Sequence, residues 1–95
     1  MVAGILLIHF RVHDCNSLKA KRKIVKSIIQ RLKNTYNASV AEVGANDIHH
    51  KAEIGVAIIG NDRRTINSKL DKIIDMAEDI GLAELLETEI EIISF

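Results

Sequence analysis

The spacing of apolar residues changes period along this chain, and the order of the changes leaves few folds open to it. Val2, Gly4, Leu6, Ile8, Phe10 and Val12 fall at every second position of a segment running to His13, the mark of a strand with one buried face. Ala3, Ile5, Leu7, His9, Arg11 and His13 line its other side. From Ser17 to Lys33 the period lengthens. Leu18, Ile24, Val25, Ile28, Ile29 and Leu32 follow the i, i+3, i+4 spacing of a helix with one apolar stripe, and Ser17 is placed to cap it. Asn34-Thr35-Tyr36-Asn37 ends that helix. Alternation returns from Tyr36 to Val43, where Ala38, Val40 and Glu42 share a face. After the turn Gly44-Ala45-Asn46-Asp47 a third strand runs from Ile48 to Ile59, with Ala52, Ile54, Val56 and Ile58 inward. Asn61 or Asp62 caps a second helix carrying Ile66, Leu70, Ile73, Ile74, Ala77 and Ile80, which closes at Gly81. Glu84 to Phe95 is the last strand.

The order βαββαβ predicts an α+β, ferredoxin-like (split βαβ) domain over residues 1–95. Its sheet is four-stranded and antiparallel, with strands one and three central and both helices on one face. Nothing between the elements reads as a linker or a second domain. Ninety-five residues suit one small core, and the scarcity of aromatics (Phe10, Tyr36, Phe95, no Trp) makes that core aliphatic. The apolar run at the start is too short to span a membrane and has no basic flank of a signal peptide. A single cysteine, Cys15, makes no internal disulfide and suits a reducing compartment. These features predict a cytoplasmic protein without membrane contact.

Net charge is zero but unevenly spread. Residues 1–35 hold eight basic side chains against one acid; residues 71–95 hold eight acids against one base. The Ser17–Lys33 stretch alone has seven of the thirteen Lys and Arg residues and no acid. Two readings follow: a polyanion-binding face, or two ends that lie side by side and neutralise each other. On a helical wheel Lys19, Arg22, Lys23, Lys26 and Lys33 point away from the apolar stripe, while Lys21 falls in line with Val25, Ile28 and Leu32. Strand alternation turns Glu42 inward as well. Strand two runs parallel to strand one, so the start of the first helix and the end of strand two share one end of the molecule. Lys21 and Glu42 are expected to meet there as a buried polar pair, under a cap formed by the Asp14–Ser17 turn. The pair serves either as a structural clamp or as the lining of a small-molecule or phosphate site.

The open face of the sheet gathers Ala3, Ile5, Leu7, Ala57, Ile59, Ile93 and Phe95 in one half. Such a patch marks an interface, and Ile5, Leu7, Ile59, Ile93 and Phe95 are the expected homodimer contacts. The other half gathers His9, Arg11, His13, His49 and Lys51. The histidine spacing fits no familiar metal motif, so neither a metal nor another cofactor is expected. Cys15 near a helix N-terminus could act as a nucleophile with His13 as base, but the neighbouring loop lacks a glycine-rich anion cradle and no catalytic residue is assigned.

Ser17-Leu18-Lys19-Ala20-Lys21-Arg22, together with Val40-Ala41-Glu42-Val43 and the start of strand three at Asp47, resembles the YlxP-like family of small bacterial proteins. The similarity covers nearly the whole chain. It implies a ferredoxin-like fold and carries no catalytic residue over. Ser17, Leu18, Lys19, Lys21, Arg22 and Glu42 correspond to motif positions. The frequent placement of family genes beside those for transcription termination, translation initiation and ribosome maturation implies an RNA- or ribosome-related role. Where the family usually has Trp-Gln early in strand three, this chain has His49-His50, so a stacking role for that ring does not transfer. The residues and the resemblance together predict a non-catalytic dimer that contacts RNA or a ribosomal particle through the basic helix. The alternative is a dimeric protein- or small-ligand-interaction module with no RNA contact.

Overall fold

The computed structural model describes residues 1–95. Its elements are β1 (Val2–Arg11), α1 (Leu18–Thr35), β2 (Ser39–Gly44), β3 (Lys51–Gly60), α2 (Arg63–Asp79) and β4 (Glu84–Ser94). The four strands form one antiparallel sheet in the order β2-β3-β1-β4. Both helices cover one face, α1 over β2 and α2 over β1 and β4. This is the expected ferredoxin-like arrangement.

The core follows from the alternation. Leu6, Ile8, Phe10 and Val12 of the first segment, Ile54 and Val56 of β3, and Val25, Ile28, Leu32, Ile66, Leu70 and Ile73 of the helices are all buried. Each such side chain contributes roughly 1.5–3 kcal/mol through its removal from water. The caps form as the sequence suggests. The Ser17 Oγ accepts from the Ala20 N–H, and the Asp62 carboxylate accepts from the Thr65 N–H and hydroxyl. The Thr65 hydroxyl, then its N–H, hold the Asp62 carboxyl below the usual range. Gly81 takes a φ of +70°, as a residue closing a helix does.

Strand ends differ from the sequence expectation where turns intervene. β1 stops at Arg11 because Asp14, at φ 52°, turns the chain toward α1. Tyr36 caps the C-terminus of α1, its N–H donating to the Leu32 carbonyl, so β2 begins only at Ser39. The Ile48 N–H donates to the Ala45 carbonyl and closes a turn over residues 45–48, a second turn follows at 49–50, and β3 starts at Lys51. The register of β1 with β4 shifts between His9 and Phe10, so Leu86 has no partner and bulges out, exposed. No helix is long and apolar enough to cross a membrane.

Candidate functional site

One end of the molecule is organised by Lys21. It shares the buried stripe of α1 with Val25, Ile28 and Leu32, and its side chain is 1% exposed. Its ammonium lies 2.9 Å from Glu42 Oε2, and the Glu42 side chain is 17% exposed. This pairing is the one the wheel and the alternation predict. The contact is close but poorly aligned, so Oε2 is buried beside the cation without accepting a hydrogen bond. The aligned bond from Lys21 Nζ goes to the Ala45 carbonyl at 2.5 Å.

The lid over the pair therefore includes the turn after β2. The Asp14–Ser17 turn, expected to form that cap, supplies no hydrogen bond to either charged group. Its own bonds go elsewhere: the His49 Nδ1–H donates to the Cys15 carbonyl at 2.8 Å, and the Cys15 thiol donates to the Ser17 carbonyl at 3.3 Å. Ala45 and Asp14, both at this end, hold positive φ angles of 56° and 52° without being glycine. The Ala45 turn tolerates that strain because two donors, the Ile48 N–H and the Lys21 ammonium, converge on one carbonyl.

The remaining cations of α1 stand outside. Lys19, Arg22, Lys23, Lys26 and Lys33 are all exposed, and Lys21 is the one residue of α1 engaged in an ion pair. No acid from the end of the chain comes within ion-pair distance of these cations. Alternation accounts for three of those acids: register places Glu87, Glu89 and Glu91 opposite His9, Leu7 and Ile5, on the open sheet face and away from α1. The first turn of α1 also lacks an acid, so Lys19 sits near the positive end of the helix dipole without compensation.

The open face holds the five expected dimer residues and more. Ile5 is 44% exposed, Ile59 68% and Phe95 92%, with Ile93 exposed and Leu7 half-buried. Val43, brought over Gly55, joins them. Ile5 stands as a ridge between two shallow depressions. One, of about 240 Å³, is lined by Ser39, Ala41, Val43 and Ala57; the other, of about 270 Å³, by Leu7, Glu89 and Glu91. The glutamate row bordering this patch was missed by the sequence reading, although the parity that placed Ile93 there places Glu87, Glu89 and Glu91 there too.

The histidines make separate contacts. His13 Nε2 lies 2.6 Å from Glu84, not on Cys15, so the structure does not assemble the conceivable Cys15–His13 couple. The rings of His49 and His50 meet edge to face at 5.6 Å. His9 sits between carboxylates, with Nε2 2.8 Å from Glu89 Oε2 and Nδ1 3.6 Å from Glu53 Oε1. A neutral ring donates from one nitrogen only, so the charged ring suits this cage. The hydrogen bond to Glu89 raises the His9 pKa above 6.5 against a lowering by burial, and the Glu53, Glu89 and Glu87 charges add to the rise. Lys51 beside Glu53 on β3 and Arg11 on β1 are the nearby cations on this face. Because the folded pKa is raised, the stabilisation from His9 is complete below pH 6.5 and is lost as pH rises through the folded value. In urea unfolding, the stability gap between wild type and His9→Gln is expected to be widest below pH 6.5 and to narrow as pH rises above it. A gap unchanged with pH contradicts the cage.

The architecture defines a ferredoxin-like α+β protein with an inward Lys–Glu pair and an outward cationic helix. The chain belongs to the family described as "Protein of unknown function (DUF503)", whose model matches residues 3–90. It is similar to the uncharacterized protein YlxP of Bacillus subtilis (strain 168), with 28% identity over 80 residues that span 84% of this chain and 87% of that one. The YlxP-like resemblance is thus borne out. Among solved structures it is similar in fold to the de novo designed protein Foldit4, at a TM-score of 0.57 and 18% identity, covering 99% of this chain and 97% of that one.

Proposed function

We propose that this protein is a non-catalytic cytoplasmic accessory factor that acts as a homodimer and assists RNA or ribosome transactions through the outward face of α1. The observation that carries the reading is the cationic stripe. Five exposed Lys and Arg residues occupy one helix face, and no acid of the chain pairs with any of them. Phosphates bound there would release counterions, so affinity for RNA should fall steeply between about 50 and 200 mM salt. RNA binding that is absent at low salt, or insensitive to salt, contradicts the reading.

The dimer half rests on the open face. Three strands of ten or eleven residues and one of six, about 4.8 Å apart, offer on the order of 600 Å² per copy, near the lower bound for a stable interface. Ile5 as a ridge between two depressions gives that surface a self-complementary shape. Ile5→Lys is expected to yield a folded monomer in sedimentation, where the wild type is a dimer. A wild type that stays monomeric at high concentration removes this half. The second reading, a dimeric protein- or ligand-interaction module without RNA contact, is favoured by the same grooved face. It gains if the wild type dimerises and binds no RNA.

A further inference from the structure

Resting on the RNA reading above, we propose that α1 binds the paired phosphate backbone of double-helical RNA rather than a single strand, with Gln30 reaching a ribose 2′-hydroxyl. Lys19, Lys23, Lys26 and Lys33 follow one another at steps of four, three and seven residues, within one exposed stripe of the helix. The row is straight and about 21 Å long at 1.5 Å per residue. Arg22 flanks its first turn. The row is held rigid because the opposite face of α1 is anchored by Lys21, Val25, Ile28 and Leu32, all buried.

Single-stranded RNA is gripped by stacking bases on aromatic rings along a groove. This face offers neither. Phe10 is buried in the core, Tyr36 is packed against the core beyond the helix, and Phe95 lies on the open sheet face. None of the cavities is lined by a residue of the cationic row. A rigid, convex line of cations without stacking groups suits an array of phosphates that is itself rigid and dense, as in a duplex. A-form RNA is recognised largely by shape and by phosphate and 2′-hydroxyl contacts, with little sequence readout. Gln30 is exposed and falls in the gap between Lys26 and Lys33. It is the uncharged member of the row and both donates and accepts, as a 2′-hydroxyl partner requires.

The test compares three probes on the full chain by fluorescence anisotropy: an RNA duplex of about 16 base pairs, one of its strands designed to stay unpaired, and the DNA duplex of the same sequence. The RNA duplex is expected to bind about tenfold or more tighter than the strand, with little dependence on sequence and a log–log salt slope near −4. Gln30→Ala should reduce the preference for RNA over DNA duplex and leave the salt slope unchanged. Single-strand binding equal to or tighter than duplex binding overturns the proposal. Equal affinity of the wild type for the two duplexes overturns the 2′-hydroxyl contact. Binding to none of the three probes at low salt overturns the underlying RNA reading itself.

Discussion

Glu42→Gln is expected to destabilise the fold by about 3 kcal/mol, the lower end of the range for breaking a buried ion pair. The substitution keeps shape and removes the charge that compensates a lysine whose side chain is 1% exposed. The Lys21 ammonium would be left with neutral acceptors only, the Ala45 carbonyl and the amide oxygen at position 42, for three N–H groups and a full charge. The loss does not reach the top of the range because Glu42, at 17% exposed, already meets some water that could reorganise around the site. For a domain of this size a loss of this magnitude lowers Tm by about 12–24 °C. Lys21→Met should behave differently. Methionine fills the lysine stem's space, the Ala45 carbonyl keeps the Ile48 N–H, and Glu42 can turn toward solvent. A cost of about 1 kcal/mol or less is expected. Thermal unfolding of the two variants decides between the roles. The clamp predicts the ordering Glu42→Gln worse than Lys21→Met. Two stable variants that both lose function would assign the pair to a ligand.

Replacing Lys19, Lys23 and Lys26 together with Glu is expected to weaken RNA binding by about 100-fold or more at moderate salt, on all sequences alike. The three side chains are exposed and make no ion pair, so the fold should lose nothing. Acids near the start of a helix are favourable to its dipole, so Tm should hold or rise slightly. That opposition of effects is diagnostic. A charge row kept only for solubility would show no loss of binding, and a structural row would show a loss of stability.

Much of this site was readable from residue order. Lys21 lies three and four positions from Leu18 and Val25, which is enough to turn it inward, and Glu42 sits two residues from Val40 on the same face. What could not be read was the lid. Ala45 carries no glycine or asparagine signal for its positive φ, and its carbonyl reaches Lys21 only because the β2–β3 turn folds back over α1. The His9 cage depends on register among three strands, and a bulge at Leu86 shifts one of those registers. The opposite charges at the two ends gave a sum without a direction. The fold sends Glu87, Glu89 and Glu91 to one surface and the α1 cations to another, and no acid of α2 forms an ion pair with α1 although the helices are neighbours. Alternation starts a strand at Tyr36, and its backbone is extended, yet its N–H closes the last turn of α1 and β2 begins only at Ser39.

The most direct measurement is amide chemical-shift mapping of the wild-type chain with an RNA duplex at low salt. Shifts should concentrate in residues 18–34, largest around Lys19, Lys23, Lys26 and Lys33, while Ile5, Ala57 and Ile93 on the open face stay unchanged. Shifts centred on the open face, or none at all, would contradict RNA binding by α1.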